Sequence, residues 1–222
     1  MPSWNIHTAH VERLLREEGA VALGIRDVNE FLVGNFVPDI YVGYMVPHTT
    51  RLIDYNTTHL AEPGHIPLPD ADAFWDRYIA GRKDVSDVVL GAWAHLVCDH
   101  VYNRHTRMFL SERGIRPGEK MRIAKQADFA LFGHTLDISL KPEVNDALVE
   151  ACAAFPQYAI EAPDVKAAVE VASHIVDENR AHHLTDTPSY ELLTPEFFST
   201  AREEANAAVV AGLAGRVAAN RA

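Results

Sequence analysis

Apolar residues recur along most of this chain at spacings of three and four, the period of a helix with one buried face, and two-residue alternation is nearly absent. The pattern predicts a first helix over about Asn5–Glu18, with Gly19 as its C-cap, and a second over roughly Arg26–Phe36, ended by Pro38. From Asp39 to Pro69 the pattern breaks into Gly, Pro, Thr, Tyr and His, an irregular stretch of a length that is usually functional or mobile. Helix is expected again at Asp70–Gly81 and in a long segment from Ser86 to about Arg113. Gly114 and Pro117-Gly118 mark a turn before Glu119–Asp137. Three more helices are expected at about Pro142–Ala154, Pro163–Asn179 and Pro195–Ala219, each with a proline where the first turn tolerates one. The expectation is an all-α protein: one compact domain over residues 1–222, about eight helices, and a long irregular loop at 39–69.

Composition changes this picture little. A chain of 222 residues can bury a core without staples, and 48% hydrophobic with 23% charged residues is an ordinary globular balance. Cys98 and Cys152 fall in unrelated helical patterns with no Cys-x-x-Cys pair, so they read as buried thiols of a reducing compartment. Met1-Pro2-Ser3-Trp4 lacks the basic start and apolar core of a signal peptide. The longest apolar run, around Val88–Ala94, falls far short of a membrane span. A cytoplasmic protein without a transmembrane segment is expected. The net charge of −11 opposes duplex nucleic acid, and no local basic patch overcomes it. The 12 histidines alter the picture more, because several fall in apolar surroundings.

The strongest local signal is Gly91-Ala92-Trp93-Ala94-His95-Leu96-Val97-Cys98-Asp99. Residues four apart share a helix face, so His95 and Asp99 can point at one metal ion, and both donor types suit zinc. Val88, Ala92, His95, Asp99 and Tyr102 form one stripe beside Val89, Trp93 and Leu96, which turns the pair toward the core. A carboxylate is costly to bury unless it is paired or on a metal. A His–Asp hydrogen bond would satisfy both groups as well as an ion would.

The same test selects other polar residues. His7 lies close to the stripe of Val11, Leu14 and Leu15, with His10 nearer its edge; for a lone histidine a core or interface role serves equally. Asp128 shares a stripe with Met121, Ala124 and Leu131 and needs a strong partner, which a metal or an arginine can be. His134, on the same helix, is turned away from it. His174 and Glu178 form an i, i+4 pair, but His174 points nearly opposite Val165, Val169, Ala172 and Val176 and reads as solvated. His182-His183 read as polar loop surface. In the irregular stretch, Asp39 (in Asn35–Ile40) and His59 (in Thr57-Thr58-His59-Leu60) sit where flanking helices can hold them rigid. Asp39 alone reads equally as a turn or cap.

Taken in order, these pieces resemble the zinc-dependent phospholipase C family. They are Trp4 and His7, the Gly-x-x-x-Pro-Asp-Ile segment from Gly34 to Ile40, Thr58-His59, and Gly-x-x-x-His-Leu-x-x-Asp from Gly91 to Asp99. The resemblance covers about the first 135 residues. It implies an all-helical fold and makes His7, Asp39, His59, His95 and Asp99 metal ligands. Asp128 is added from its apolar face and its place after the His-x-x-x-Asp helix. Single-strand-specific nucleases share that fold and metal arrangement, so the resemblance does not choose among phosphodiester substrates. The chain departs from the family twice. The family uses the amino group of a terminal Trp as a zinc ligand, whereas Trp4 is internal. The family's His-x-x-x-Glu pair follows soon after His-x-x-x-Asp, whereas His174 and Glu178 come much too late. One or two zinc ions, or another divalent metal, are expected in place of three.

The implied activity is hydrolysis of a small phosphate ester or a phospholipid-like substrate by a metal-activated water. Asp39 would bridge the metals or take the water proton, and Tyr41, Tyr44 and Tyr55 would line the cleft. Two alternatives remain. A His-Asp-type nucleotide phosphohydrolase needs an adjacent His-Asp, and this chain has only the reversed Asp99-His100. A non-catalytic metal-binding or assembly protein would retain a degenerate site, and its Ala-rich last helix near Asn206–Asn220 could pack in a homodimer. There is no Gly-x-Ser-x-Gly elbow, no phosphate-binding Gly-x-x-x-x-Gly-Lys loop and no Gly-x-Gly-x-x-Gly.

Overall fold

A helix with apolar residues on every side has to be surrounded, and Val88–Cys98 is such a segment. A computed structural model describes residues 2–221, and within them this segment lies in the helix at the centre of the molecule. Ten helices occur among the described residues: α1 (Trp4–Glu17), α2 (Val28–Gly34), α3 (Val37–Ile40), α4 (Tyr55–His59), α5 (Ala71–Tyr78), α6 (Asp87–Glu112), α7 (Glu119–His134), α8 (Asp146–Ala153), α9 (Ala162–Ala181) and α10 (Pro195–Arg221). The described residues contain no strand and form one compact domain. None of these helices is long and apolar enough to cross a membrane.

In α6 every residue from Asp87 to Asp99 is buried. Its most extensive neighbours are α2 and α10. The contact with α2 depends on two glycines. A Cβ on Gly91 would sit 2.1 Å from the Phe31 carbonyl oxygen, and one on Gly34 would sit 2.3 Å from the Val88 carbonyl oxygen. The two backbones therefore touch, which only glycine permits at both positions. On the other side, α10 buries Phe198, Ala201, Ala205, Val209 and Leu213 within the chain.

Local chemistry starts several helices as expected. Ser86 caps α6 by accepting from Val89 N, Asp70 caps α5 through Ala73 N, and Asp27 caps α2 through Glu30 N. Pro163 and Pro195 sit in the first turns of α9 and α10. Gly19, just past the first helix, has φ +80°.

Three expectations are corrected. Pro38 does not simply end a helix: the chain breaks after Gly34 and restarts with Pro38 in the first turn of α3, so Asp39 is helical and not in a loop. The irregular stretch at 39–69 contains α4, started by Asp54, which accepts from Thr57 N at 3.0 Å, and ended by Leu60 in the left-handed region at φ 51°. His59 is therefore the last residue of a helix. Pro142 lies outside α8, which starts later because the Asn145 side chain accepts from Leu148 N and caps it there.

Candidate metal centre

Four helices bring five side chains to one point. α1 contributes His7, α3 Asp39, α4 His59, and one face of α6 both His95 and Asp99. Asp39 is 4% exposed and the other four are fully buried. Two carboxylates and three imidazoles at such depth require partners of opposite charge or a complete set of hydrogen bonds.

The surrounding hydrogen bonds decide which ring nitrogens carry protons. His95 Nδ1 lies 2.8 Å from the Asn35 carbonyl oxygen, which can only accept, so Nδ1 is the protonated nitrogen and Nε2 presents a bare lone pair. The α2–α6 contact through Gly34 and Gly91 is what places that carbonyl. His59 is set in the same way. The Thr58 hydroxyl donates to the Tyr55 carbonyl at 3.2 Å and accepts from His59 Nδ1 at 2.8 Å, leaving His59 Nε2 bare. Trp4 Nε1 donates to Asp39 Oδ2 at 3.0 Å, which leaves Asp39 Oδ1 to face inward.

The result is a pair of imidazole nitrogens that face each other with no donor between them. His59 Nε2 and His95 Nε2 face each other at 3.1 Å, and neither carries a proton to share. Asp39 Oδ1 lies 3.7 Å and 4.0 Å from these two nitrogens, and Asp99 Oδ2 lies 3.6 Å and 3.8 Å from them. His7 Nε2 is 3.4 Å from Asp99 Oδ1, and its ring stacks on that of His95 at 4.0 Å. Among the described residues, neither nitrogen of His7 and not Asp99 Oδ1 has a hydrogen-bond partner. The His95–Asp99 hydrogen bond that would satisfy the pair without a metal is not made.

Burial, reinforced by His95, pushes His7 down to about 4 and holds His59 well below the usual histidine range. Burial alone would raise Asp99, but the facing imidazoles of His95, His7 and His59 outweigh it and hold the carboxyl below its usual range. Burial pushes Asp39 up to about 6, against the pull of His95. A metal ion would satisfy inward lone pairs and carboxylate oxygens together. Two sets of donor atoms lie within 4.8 Å of one another and can hold a metal ion: His7, His95 and Asp99, and Asp39, His59 and His95. His95 belongs to both sets but has one free lone pair, so it can serve one ion only. A second ion would have to share the carboxylates, and Asp99 already turns Oδ1 to His7 and Oδ2 to His59 and His95.

The structure corrects the expectation for Asp128. Both of its oxygens are taken by backbone amides at the approach to α10: Oδ1 accepts from Glu191 N at 2.7 Å, and Oδ2 from Leu192 N at 2.8 Å and Leu193 N at 2.7 Å. Its strong partner is thus a set of main-chain donors, and it joins neither donor set. His174 and Glu178 are exposed on α9, away from the cluster. His10 is buried, with Nδ1 on Asn206 and Nε2 on Tyr102, and braces α1 against α6 and α10.

The three loop tyrosines separate. Tyr44 is exposed, and Tyr41 is buried and donates to Asp164 Oδ2 at 2.8 Å. Only Tyr55 touches the cluster: its hydroxyl donates to Asp99 Oδ2 at 3.2 Å and its ring stacks on His59 at 3.7 Å. It is half-buried, and so links the cluster to the surface. Sequence patterns did not reveal the Asn35 carbonyl, because a main-chain acceptor carries no residue signature.

No family model matches the chain, and no match to it was found among curated proteins or solved structures. Fold and site together define an all-α protein with buried His and Asp groups that can hold a metal ion.

Proposed function

We propose that this protein is a metal-dependent phosphoric ester hydrolase, with zinc as the ion. The observation that carries the reading is the pair of imidazoles fixed with bare Nε2 lone pairs 3.1 Å apart, between two inward carboxylates. Mixed nitrogen and oxygen donors suit zinc. The resemblance of the ordered Trp4/His7, Pro38-Asp39, Thr58-His59 and His95/Asp99 segments to zinc-dependent phospholipases C supports a phosphoester substrate.

A divalent ion held by one of the two donor sets, His7, His95 and Asp99 or Asp39, His59 and His95, would supply positive charge to stabilise anionic phosphoryl oxygens and to make water a nucleophile near neutral pH. The chain's own groups do the rest. Asn35 and Thr58 hold two imidazoles in the ligating tautomer. With the ion on His7, His95 and Asp99, Asp39 would be held by Trp4 through Oδ2 and left free at Oδ1 to take the proton of the attacking water. Water's oxygen would bond to phosphorus as the ester P–O bond breaks, and the leaving alcohol would receive the proton that Asp39 took from the water.

The depth of the site favours a second reading, in which the ion is structural. All five donors are at most 4% exposed, and no candidate ligand lines the cavity of about 790 Å³ between α5, α6 and α10. Two measurements on the full chain separate the readings. Elemental analysis comes first, and a protein that takes up no divalent metal overturns both. A screen of phosphomonoesters and phosphodiesters follows, with Asp39→Asn and His95→Gln as controls. Hydrolysis lost in both variants supports the hydrolase. Metal uptake with no turnover, or rates indifferent to both substitutions, leaves the structural ion.

A further inference from the structure

A cavity of about 790 Å³ lies on the flank of α6 turned away from His95 and Asp99, between α5, α10 and the segment that precedes α5. Its volume is in the range of small-molecule sites. The floor is apolar, with Trp93, Val97 and Val101 of α6 and Trp75 of α5. The two indoles meet edge to face, with centroids 4.8 Å apart and planes at 60°. Trp93 is held in place by Gly212 of α10, where a Cβ would sit 2.2 Å from its Cη2. The aromatic wall is therefore a fixed surface.

The polar part of the lining has a definite sign. Glu62, Asp70 and Asp72 stand against one cation, Arg107. Among the described residues none of the three carboxylates forms an ion pair. Asp70 uses one oxygen to cap α5, and Arg107 is committed through Nε to the Ile66 carbonyl at 2.8 Å. His100 donates through Nδ1 to the Pro69 carbonyl at 2.8 Å, which fixes its ring at the groove's edge. The groove thus combines indole rings with an excess of carboxylate. Indole faces attract cations, and carboxylates add to that attraction.

We propose that this groove binds an amphipathic organic cation, with an alkyl or aromatic body on the α6 floor and a positively charged nitrogen against Trp75, Trp93 and the carboxylates. An anionic ligand meets the wrong charge, and a neutral one gains nothing from the carboxylates. A second copy of the chain is disfavoured as the occupant, because each copy carries a net charge of −11. The site is independent of the metal centre, since no residue belongs to both.

The test titrates the full chain with hexyltrimethylammonium, hexanol and hexanoate, read by tryptophan fluorescence and calorimetry. The expected result is saturable binding of the ammonium, about tenfold tighter than hexanol, with hexanoate weakest. Trp75→Leu should weaken the ammonium by about tenfold. Asp72→Asn, at an exposed position that folding tolerates, should weaken it several-fold and flatten its salt dependence. His95→Gln should leave binding unchanged, so failure of the metal reading cannot be mistaken for failure of this one. Hexanol binding as tightly as the ammonium, no saturable binding at all, or a concentration-dependent dimer that excludes the probe would each overturn the proposal.

Discussion

The facing imidazoles make a quantitative prediction for metal-free protein. An ion that binds the folded chain and not the unfolded one stabilises it by RT ln(1 + [L]/Kd), about 2.7 kcal/mol when free metal is a hundred times Kd. For a domain of this size each kcal/mol moves Tm by about 2–4 °C, so saturating zinc should raise it by about 5–10 °C. Which variants lose the gain follows from the donor sets. His95 belongs to both, so His95→Gln should abolish the shift. His7→Gln leaves Asp39, His59 and His95 together and should retain part of it. Each variant is compared with its own chelator-treated baseline, so the cost of substituting a buried residue cancels. Differential scanning fluorimetry with zinc, cobalt and manganese reads the shift directly. A chelated wild type whose Tm ignores all three ions, or a His95→Gln variant that gains as much as the wild type, would refute the lone-pair reasoning.

Four further outcomes are expected. Gly91→Ala drives a methyl into the Phe31 carbonyl and should cost about 1–3 kcal/mol or more in urea unfolding; it should also weaken metal binding, because the same contact places Asn35 on His95. Asp128→Ala strands three backbone amides and should cost about 3–5 kcal/mol, while the metal-induced Tm shift measured from its own baseline stays unchanged. Tyr55→Phe keeps the ring on His59 but removes the hydroxyl from Asp99; cobalt affinity, followed by the visible spectrum of the bound ion, should fall about 10–100-fold. Burial holds His10 down at about 3 in the folded protein, against about 6.5 unfolded, so the unfolded chain binds the extra proton between those values. Stability should therefore fall as pH drops from about 6.5 toward 3, by on the order of 4 kcal/mol from this residue; urea midpoints against pH should flatten in His10→Gln.

The chain by itself determined the long helices and the candidates for chemistry. Ser86 before an apolar run, Pro195 at a first turn and Gly19 past a helix end act over a few residues, so they can be read without knowing the fold. His95 and Asp99, four apart on an apolar face, were legible for the same reason, because helix geometry alone puts them together. Tertiary structure decided everything that depends on which surfaces meet. α3 and α4, at four and five residues, are too short to show a helical period, so Asp39 and His59 read as loop residues. Asp128 had the face of a ligand, but its partners are amides more than sixty residues away in sequence. The Asn35 carbonyl that sets the His95 tautomer is a main-chain atom, brought into reach because Gly34 and Gly91 let two helices touch. Periodicity shows which side of a helix is buried; only packing shows what it is buried against, and at this site that contact determines where the protons sit.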